Sequence, residues 1–300
     1  MIAVKSLLIV SLLATAAHAD DIVLDDAGPK ADENPVAAKD DLAKPPPPAD
    51  SAHRPWYRRF YVRLGFGRVM PQVQSHEISL SNVDGAASLS LKNGPIAGSG
   101  SDISAANIPS GAIGYTLPGF GDHLALELVI GTPLHVKFTA TGTVADMSLA
   151  PTALGLPTGV PALGPEFGEA DAVPPIVTLL YKVAPHGLVQ PYLGVGGTVM
   201  FTYNAKATNP ILNQVAPPTM SIDPAPGLVL QGGVDVRLYK HVFARLDVKF
   251  IAFMLAKAKV EHIQVKTPGL PLFESVEVGT ASTSAYVNPL IVSGELGYDF

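Results

Sequence analysis

Apolar and polar residues alternate over positions 290–300, and this pattern restricts the folds that the chain can adopt. The apolar side of the two-residue period holds Leu290, Val292, Leu296, Tyr298 and Phe300. The other side is polar or small and holds Ser293, Glu295, Gly297 and Asp299, with Ile291 as an apolar exception. A strand with one apolar and one mostly polar face is typical of a barrel wall between lipid and a polar lumen.

Seven earlier segments alternate in the same way. They are 58–69, 107–117, 124–131, 177–183, 190–203, 228–239 and 242–250. With the last segment they make eight strands, an even number, as bacterial membrane barrels have. The pattern therefore predicts an all-β fold, an eight-stranded antiparallel up-and-down transmembrane β-barrel over residues 56–300. A soluble β-sandwich is the alternative.

The connections between these segments alternate between short and long. The short ones are 118–122, 185–187 and 240–241, and the long, Gly- and Pro-rich ones are about 71–106, 137–172, 204–226 and 257–285. In an up-and-down barrel, this order puts the short turns at the periplasmic end and four long loops outside the cell. A sandwich gives no reason for such a difference between its two ends.

Polar residues of the strands collect on the face opposite the apolar stripe. The residues expected to line the lumen are Arg63, Glu127, Lys182, Gln231, Asp235, Arg237, Arg245, Asp247, Lys249 and Glu295. An Arg or Lys facing lipid at mid-depth would cost about 2–4 kcal/mol, which favours the inward assignment. These charges could line a polar conduit or pair across strands. Eight strands enclose an interior that side chains largely fill or that holds one small ligand.

The amino-terminal region has a different composition. Residues 1–19 have a lysine, an apolar run and a small-residue cleavage site, which predicts a signal peptide and export. Residues 20–55 are rich in Asp, Ala and Pro and are expected to be a disordered periplasmic segment, a spacer or a candidate contact for peptidoglycan. The net charge of −6 and the absence of a basic patch argue against nucleic acid as a partner.

No catalytic or metal-binding pattern stands out, so we expect no enzyme activity, no cofactor and no metal. The chain has no cysteine, and its eight histidines are scattered rather than spaced as metal ligands. One long connection carries apolar residues interleaved with Pro and Gly: Leu149, Leu154, Leu156, Val160, Leu163 and Phe167. They could form a hydrophobic funnel above the barrel or a self-packed loop.

Several short motifs, in order along 56–300, resemble the OmpW family of small outer-membrane barrels. They are Arg63-Leu-Gly-Phe-Gly67, Pro174-Pro-Ile-Val-Thr-Leu-Leu-Tyr181, Gln190-Pro-Tyr-Leu-Gly-Val-Gly196, Gly227-Leu-Val-Leu-Gln-Gly-Gly-Val-Asp235, Leu246-Asp-Val-Lys-Phe-Ile251, and Asn288-Pro-Leu-Ile-Val292 with Gly297-Tyr-Asp-Phe300. The resemblance implies a barrel in the outer membrane of a Gram-negative bacterium, with a narrow, rather hydrophobic interior, associated with uptake of small hydrophobic molecules. It also implies that Phe300 is the signal read by the barrel-assembly machinery.

Two functions follow as hypotheses. The first is passive passage or binding of small hydrophobic solutes through the lumen, towards lipid or the periplasm. The second is a structural or adhesive protein, with a filled barrel that displays its loops and a segment 20–55 that spaces the membrane from the cell wall. An outer-membrane lipid-modifying enzyme would need a clustered catalytic site, which the sequence does not offer.

Overall fold

The computed structural model describes residues 55–146, 148–270 and 274–300. The signal peptide and nearly all of the Pro-rich segment that the sequence predicts lie outside the described residues. The described strands, in chain order, are β1 (Phe60–Met70), β2 (Val73–Ser75), β3 (Ser79–Ser81), β4 (Gly94–Pro95), β5 (Ser99–Ile103), β6 (Ala106–Thr116), β7 (Leu124–Gly131), β8 (Leu134–Gly142), β9 (Thr152–Ala153), β10 (Leu156–Pro157), β11 (Glu166–Val173), β12 (Ile176–Lys182), β13 (Val189–Ala207), β14 (Thr219–Ile222), β15 (Ala225–Tyr239), β16 (Val242–Ala252), β17 (Leu255–Lys266), β18 (Ser275–Val287) and β19 (Leu290–Asp299).

Helical structure is minor in the described part of the chain. One helical turn, α1, spans Thr143–Asp146, and 3-10 turns span Trp56–Arg59 and Gly85–Leu89. Of the residues described, none lies in a helix with the length and apolarity to span a membrane.

Eight of the strands close into an antiparallel barrel, in the order β1, β6, β7, β12, β13, β15, β16, β19 and back to β1. The closing pair aligns Val62 with Tyr298 and Leu64 with Leu296. Each of the eight strands predicted from the alternation is present, so the predicted fold is confirmed. A closed barrel leaves no unpaired strand edge at its waist, which lipid contact requires because lipid cannot hydrogen-bond to the backbone.

Side chains of the barrel strands alternate between a buried and an exposed environment. Strand β12 shows this most clearly, since Ile176, Thr178 and Leu180 are buried while the residues between them are exposed. Large apolar side chains dominate the exposed face, with Leu64 at 71% and Phe66 at 73% exposure. Exposed aromatic residues lie near the strand ends: Trp56, Tyr57, Tyr203, Phe250, Tyr286, Tyr298 and Phe300. An apolar band with aromatic girdles is the lipid-facing surface of a membrane barrel.

The long connections contain strands, where the sequence predicted only loops. β8 and β11 continue the hairpin of β7 and β12, and β17 and β18 continue that of β16 and β19. With β2, β3, β5, β14 and the end of β13, they form an extension of the barrel sheet beyond its long-connection end. The Gly and Pro content that suggested loops marks short breaks, such as residues 132–133 and 174–175, between collinear strands.

A hydrophobic core fills the extension from inside. It includes Ile78, Leu80, Val160, Leu163, Phe167, Leu212, Met220, Val260 and Val278. Folding of the connections inwards therefore caps the barrel at this end, and the cap is built from the segments between the strands.

Candidate functional site

The lower half of the lumen, towards the short turns, is closed by a layer of ion pairs that we call the ionic seal. At its centre, Glu127 of β7 is fully buried. Its carboxylate accepts hydrogen bonds from Tyr61 Oη at 2.6 Å and Arg63 Nη2 at 2.7 Å, and it pairs with Arg245. Three donors from two other strands thus converge on one carboxylate, which satisfies the charge that burial would otherwise penalise.

Arg245 of β16 links Glu127 to a second carboxylate. Its Nε and Nη2 donate to both oxygens of Asp235 on β15, the Nη2 bond measuring 2.6 Å. Its guanidinium also lies over the ring of Tyr192, 4.4 Å from the centroid. The fork-to-carboxylate geometry and the stacked ring hold this buried arginine in one orientation.

Asp247 of β16 forms a further node. It pairs with Lys249, accepts a hydrogen bond from Tyr192 Oη, and accepts another from Gln231 Nε2 at 2.7 Å. All four residues are almost completely buried. The node joins β13, β15 and β16 on the inside of the barrel.

Glu295 of β19 completes the seal. It pairs with Arg63 and accepts hydrogen bonds from Ser110 Oγ at 2.8 Å and Ser293 Oγ at 3.2 Å. The seal as a whole contains four cations and four carboxylates: Arg63, Lys182, Arg245, Lys249, Glu127, Asp235, Asp247 and Glu295. Because Arg63, Arg245 and Lys249 each pair closely with a buried carboxylate, the layer fills the lumen with ion pairs. Lys182 lies at its lower edge, at a longer distance from Asp235, and also lines the cavity below.

Inward-facing glycines make room for the aromatic members of this layer. A Cβ on Gly114 would collide with the ring of Tyr61, and one on Gly233 would collide with the ring of Tyr192. Tyr61 and Tyr192 cluster with Leu180, Phe243 and Ala125 just below the ion pairs. Each tyrosine ring can therefore pack against a neighbouring strand while its hydroxyl group donates to a carboxylate.

Above the ionic seal lies an apolar chamber with a cavity volume of about 100 Å³. Its wall includes Val129, Ile176, Met200, Ile251, Met254 and Ile291. Phe138 and Ile222 line its upper part and also pack against the core of the extension. Lys249, Ser293 and Glu295 line its lower part. The chamber thus lies between an apolar cap and an ionic floor.

The wall of the chamber contains a gap in the backbone pairing between neighbouring strands, which we call the lateral seam. The last residue pair between β6 and β7 is Ser110 with Gly131. Above it, Ala106–Pro109 of β6 pair only with β1, while β8 pairs with β5 from Phe138 upwards. Ile108, Thr132 and Leu134 border the seam and line the chamber. Pro109 and Pro133 have no backbone N–H and cannot donate a ladder bond there.

Nine of the ten residues expected to line the lumen lie in the ionic seal: Arg63, Glu127, Lys182, Gln231, Asp235, Arg245, Asp247, Lys249 and Glu295. Arg237 is the tenth and lies lower, at the short-turn end, where its Nη1 donates to Asp299 Oδ2 at 2.7 Å. It lies below the seal because it follows Asp235 by two residues on β15 and is therefore the next inward position towards the turn after that strand. Cross-strand pairing describes the arrangement of the charges better than an open conduit does.

The six residues proposed for a hydrophobic funnel do not line the chamber. Val160, Leu163 and Phe167 are buried in the core of the extension, and Leu149 packs against that core. Leu154 and Leu156 project into solvent from the β9–β10 hairpin, with exposures of 78% and 59%. The funnel interpretation is therefore replaced by a self-packed connection, since its apolar side chains gain more burial from one another than from an open mouth.

Sequence reasoning missed the residues that form the chamber and the aromatic layer. The residues predicted to line the lumen were all polar, whereas Met200, Ile251 and Met254 are apolar and line the chamber. Tyr61 and Tyr192 received no predicted role, although they share the polar side of the two-residue period with Arg63 and Gln190. A sequence pattern could have indicated the aromatic layer: a tyrosine lies two positions from a charged residue on the same side of the strand, as Tyr61 does from Arg63.

A separate charged cluster lies on the outer surface of the extension. His135 pairs with Glu169 at 3.2 Å and Asp171 at 3.1 Å, and Asn204 Nδ2 donates to Asp171 at 3.0 Å. The hydrogen bond to Asp171 and the neighbouring Glu169 raise the pKa of His135, while Asn204 and His135 lower the pKa of Asp171. No group of three or more His, Asp or Glu in the described ranges has metal-site geometry.

The strand order, the lipid-facing band and the filled lumen define a small β-barrel of the bacterial outer membrane. A sequence model of the OmpW family matches residues 59–300, and the chain belongs to that family. The family assignment and the related outer-membrane proteins place it in the Gram-negative outer membrane. The short-turn end is then periplasmic and the extension extracellular.

Individual proteins are similar to this chain over most of its length. An uncharacterized outer-membrane protein, y4mB of Sinorhizobium fredii, is 28% identical over 221 residues, which are 73% of this chain and 78% of the relative. The crystal structure of the outer membrane protein OprG from Pseudomonas aeruginosa matches with a TM-score of 0.60 at 19% identity, covering 80% of this chain and 95% of that one. The structure of outer membrane protein AlkL in lipid bilayers has a TM-score of 0.47 at 20% identity, covering 83% of this chain and 94% of AlkL.

Proposed function

We propose that this barrel binds small apolar molecules in its chamber and passes them, without energy input, between the extracellular side and the lipid of the outer membrane. The observation that carries the proposal is the chamber itself, an apolar cavity between the cap and the ionic seal. A cavity of about 150 Å³ lined by aliphatic residues stays dry and binds benzene. A chamber of about 100 Å³ is of the same order, so a single small ring or a short alkyl chain is the expected size of solute.

The direction of release follows from the contrast between the two boundaries of the chamber. Passage to the periplasm would require an apolar solute to separate buried ion pairs, and removing one partner of such a pair costs about 3–5 kcal/mol. Passage through the lateral seam requires only movement of apolar side chains such as Ile108 and Leu134. Lipid is therefore the proposed destination.

The proposal is tested with the protein in liposomes and a hydrophobic dye that fluoresces when it is shielded from water. Ala172 is buried and lines the chamber, so Ala172→Phe is expected to fill the space and to abolish saturable dye binding and the accelerated uptake. Val195→Phe adds the same aromatic ring on the lipid-facing side and is the matched control. Equal uptake by the wild type, the filled variant and empty liposomes would rule out passage through the chamber.

The structural or adhesive function is the second candidate, and the closed extension favours it. The core of the extension turns the long connections into a folded extracellular surface, with Leu154 and Leu156 exposed on a small hairpin. If this were the main function, deletion of the gene would reduce surface attachment and leave apolar uptake unchanged. The proposed passage function predicts the opposite pattern.

A further inference from the structure

Below the ionic seal, the periplasmic end of the barrel opens into a polar cup with a cavity volume of about 680 Å³. The 3-10 turn before β1 and the turns after β12 and β15 form its rim. Its charged lining consists of Arg58, Arg59, Lys182, Arg237, Lys240, Asp122 and Asp299. His186 and His241 also line it. The cup is separated from the apolar chamber by the ionic seal and the aromatic layer.

The charge of the cup is opposite in sign to that of the chain. The whole chain carries a net charge of −6, whereas Lys and Arg side chains outnumber Asp side chains by five to two in the lining of the cup. Asp299 is already engaged by Arg237 at 2.7 Å. A concave site lined by one sign of charge, next to a low-dielectric wall, concentrates ions of the opposite sign.

Lys182 at the bottom of the cup is the most informative of these cations. Only 10% of its side chain is exposed, and among the described residues its nearest carboxylate oxygen is Asp235 Oδ2, 3.9 Å from Nζ. Both oxygens of Asp235 are taken by the guanidinium of Arg245. The Lys182 ammonium also lies over the face of Tyr61, 4.9 Å from the ring centroid. A buried ammonium is stabilised by close anionic acceptors, and a 3.9 Å contact with a carboxylate that Arg245 already binds leaves room for a closer acceptor in the cup.

We propose that the cup binds a soluble oxyanion on the periplasmic side, a small molecule with phosphate or clustered carboxylate groups. Lys182 binds the anion from below, and Arg58 and Lys240 bind it from the rim. Such an anion gives Lys182 a closer acceptor than Asp235 and reduces the repulsion between the cationic side chains of the cup. The site is independent of the chamber, because the ionic seal lies between the two, and its failure would leave the passage function untouched.

The experiment measures binding of pyrophosphate and of citrate by calorimetry, with the full chain in phosphatidylcholine nanodiscs and sodium chloride matched for ionic strength. Trp56 is the one tryptophan of the sequence and lies in the same 3-10 turn as Arg58, so its fluorescence reports binding at the rim. We expect saturable binding that weakens as salt is added. A second set of nanodiscs containing phosphatidylglycerol distinguishes a soluble anion from a lipid headgroup.

Three variants decide the outcome. Lys182→Met is expected to weaken binding roughly tenfold or more, as loss of a charge-assisted hydrogen bond does, and Lys240→Gln to weaken it less. Lys259→Gln on the extracellular extension is the matched control and is expected to bind as the wild type does. If Lys182→Met fails to fold, Lys240→Gln still tests the cup. Absence of saturable anion binding would overturn the proposal, and so would equal affinities of Lys240→Gln and Lys259→Gln for the anion. Loss of pyrophosphate and citrate binding in the nanodiscs that contain phosphatidylglycerol would show that the cup binds a lipid headgroup instead.

Discussion

The two halves of the lumen are built on the same eight strands but are filled in opposite ways. In the lower half, side chains at inward positions are charged or aromatic and form the ionic seal around Glu127. In the upper half they are aliphatic, and a cavity is left between them. The strands therefore set only the inward direction of a side chain. Its chemistry decides whether that part of the lumen is closed by ion pairs or open to an apolar solute.

The largest loss of stability is expected from removing the central carboxylate of the ionic seal. Glu127→Gln leaves Arg63 and Arg245 buried without their shared carboxylate, which should lower the free energy of unfolding by about 3–5 kcal/mol. Urea unfolding in detergent micelles measures it. The matched control is Glu261→Gln, which breaks an exposed pair with Lys259 and should leave the free energy of unfolding nearly unchanged. Similar losses for both variants would mean that the seal is not a tightly coupled layer.

A smaller loss is expected when the upper half is changed. Met254 is buried in the chamber wall, and Met254→Ala should cost about 2–3 kcal/mol because it enlarges a cavity and strands no charge. An apolar ligand should recover part of this loss by occupying the larger space. Unfolding with and without the ligand measures both effects, with the lipid-facing Val195→Ala as control. Ligand protection of Val195→Ala alone would contradict the position of the chamber.

A double-mutant cycle on Asp247 and Lys249 sharpens the contrast further. Asp247→Leu alone leaves the Lys249 ammonium buried without its carboxylate, whereas Asp247→Leu with Lys249→Met removes both charges. The double variant should therefore be more stable than Asp247→Leu, with a coupling energy of about 1–3 kcal/mol. Additive losses would show that the two side chains act independently.

The smallest effect on stability concerns charged side chains on the outer surface of the extension, which face away from the lumen. Because Asp171 and Glu169 raise the pKa of His135, the pairing stabilises the protein at pH below about 6.5 and is lost as the pH rises through the raised value. An NMR titration should show a His135 midpoint above that of an ordinary histidine, moving down in Asp171→Asn. An unchanged midpoint in the variant would contradict the assigned cause.

The sequence predicted the barrel well because the period of two is local. A single exposed leucine such as Leu296 does not indicate a strand, but five apolar residues on one side of a two-residue period indicate which face of the strand is apolar. The partners in the seal could not be predicted, because Glu127 and Arg245 are 118 positions apart and meet only after the barrel closes. The extension was missed for a different reason. Its strands are interrupted by Pro174 and Pro133, which suggest loops when read alone but only break collinear strands in the fold.

The most direct test of the divided lumen uses the absence of cysteine in the chain, which gives a clean background for labelling. Thr116→Cys puts a thiol in the periplasmic cup, and Ala172→Cys puts one in the chamber above the seal. In nanodiscs, where both ends are accessible, a charged, water-soluble thiol reagent should modify the cup thiol rapidly and spare the chamber thiol, while a small apolar reagent reaches the chamber. Equal rates of modification of both thiols by the charged reagent would show a continuous aqueous lumen and contradict the account.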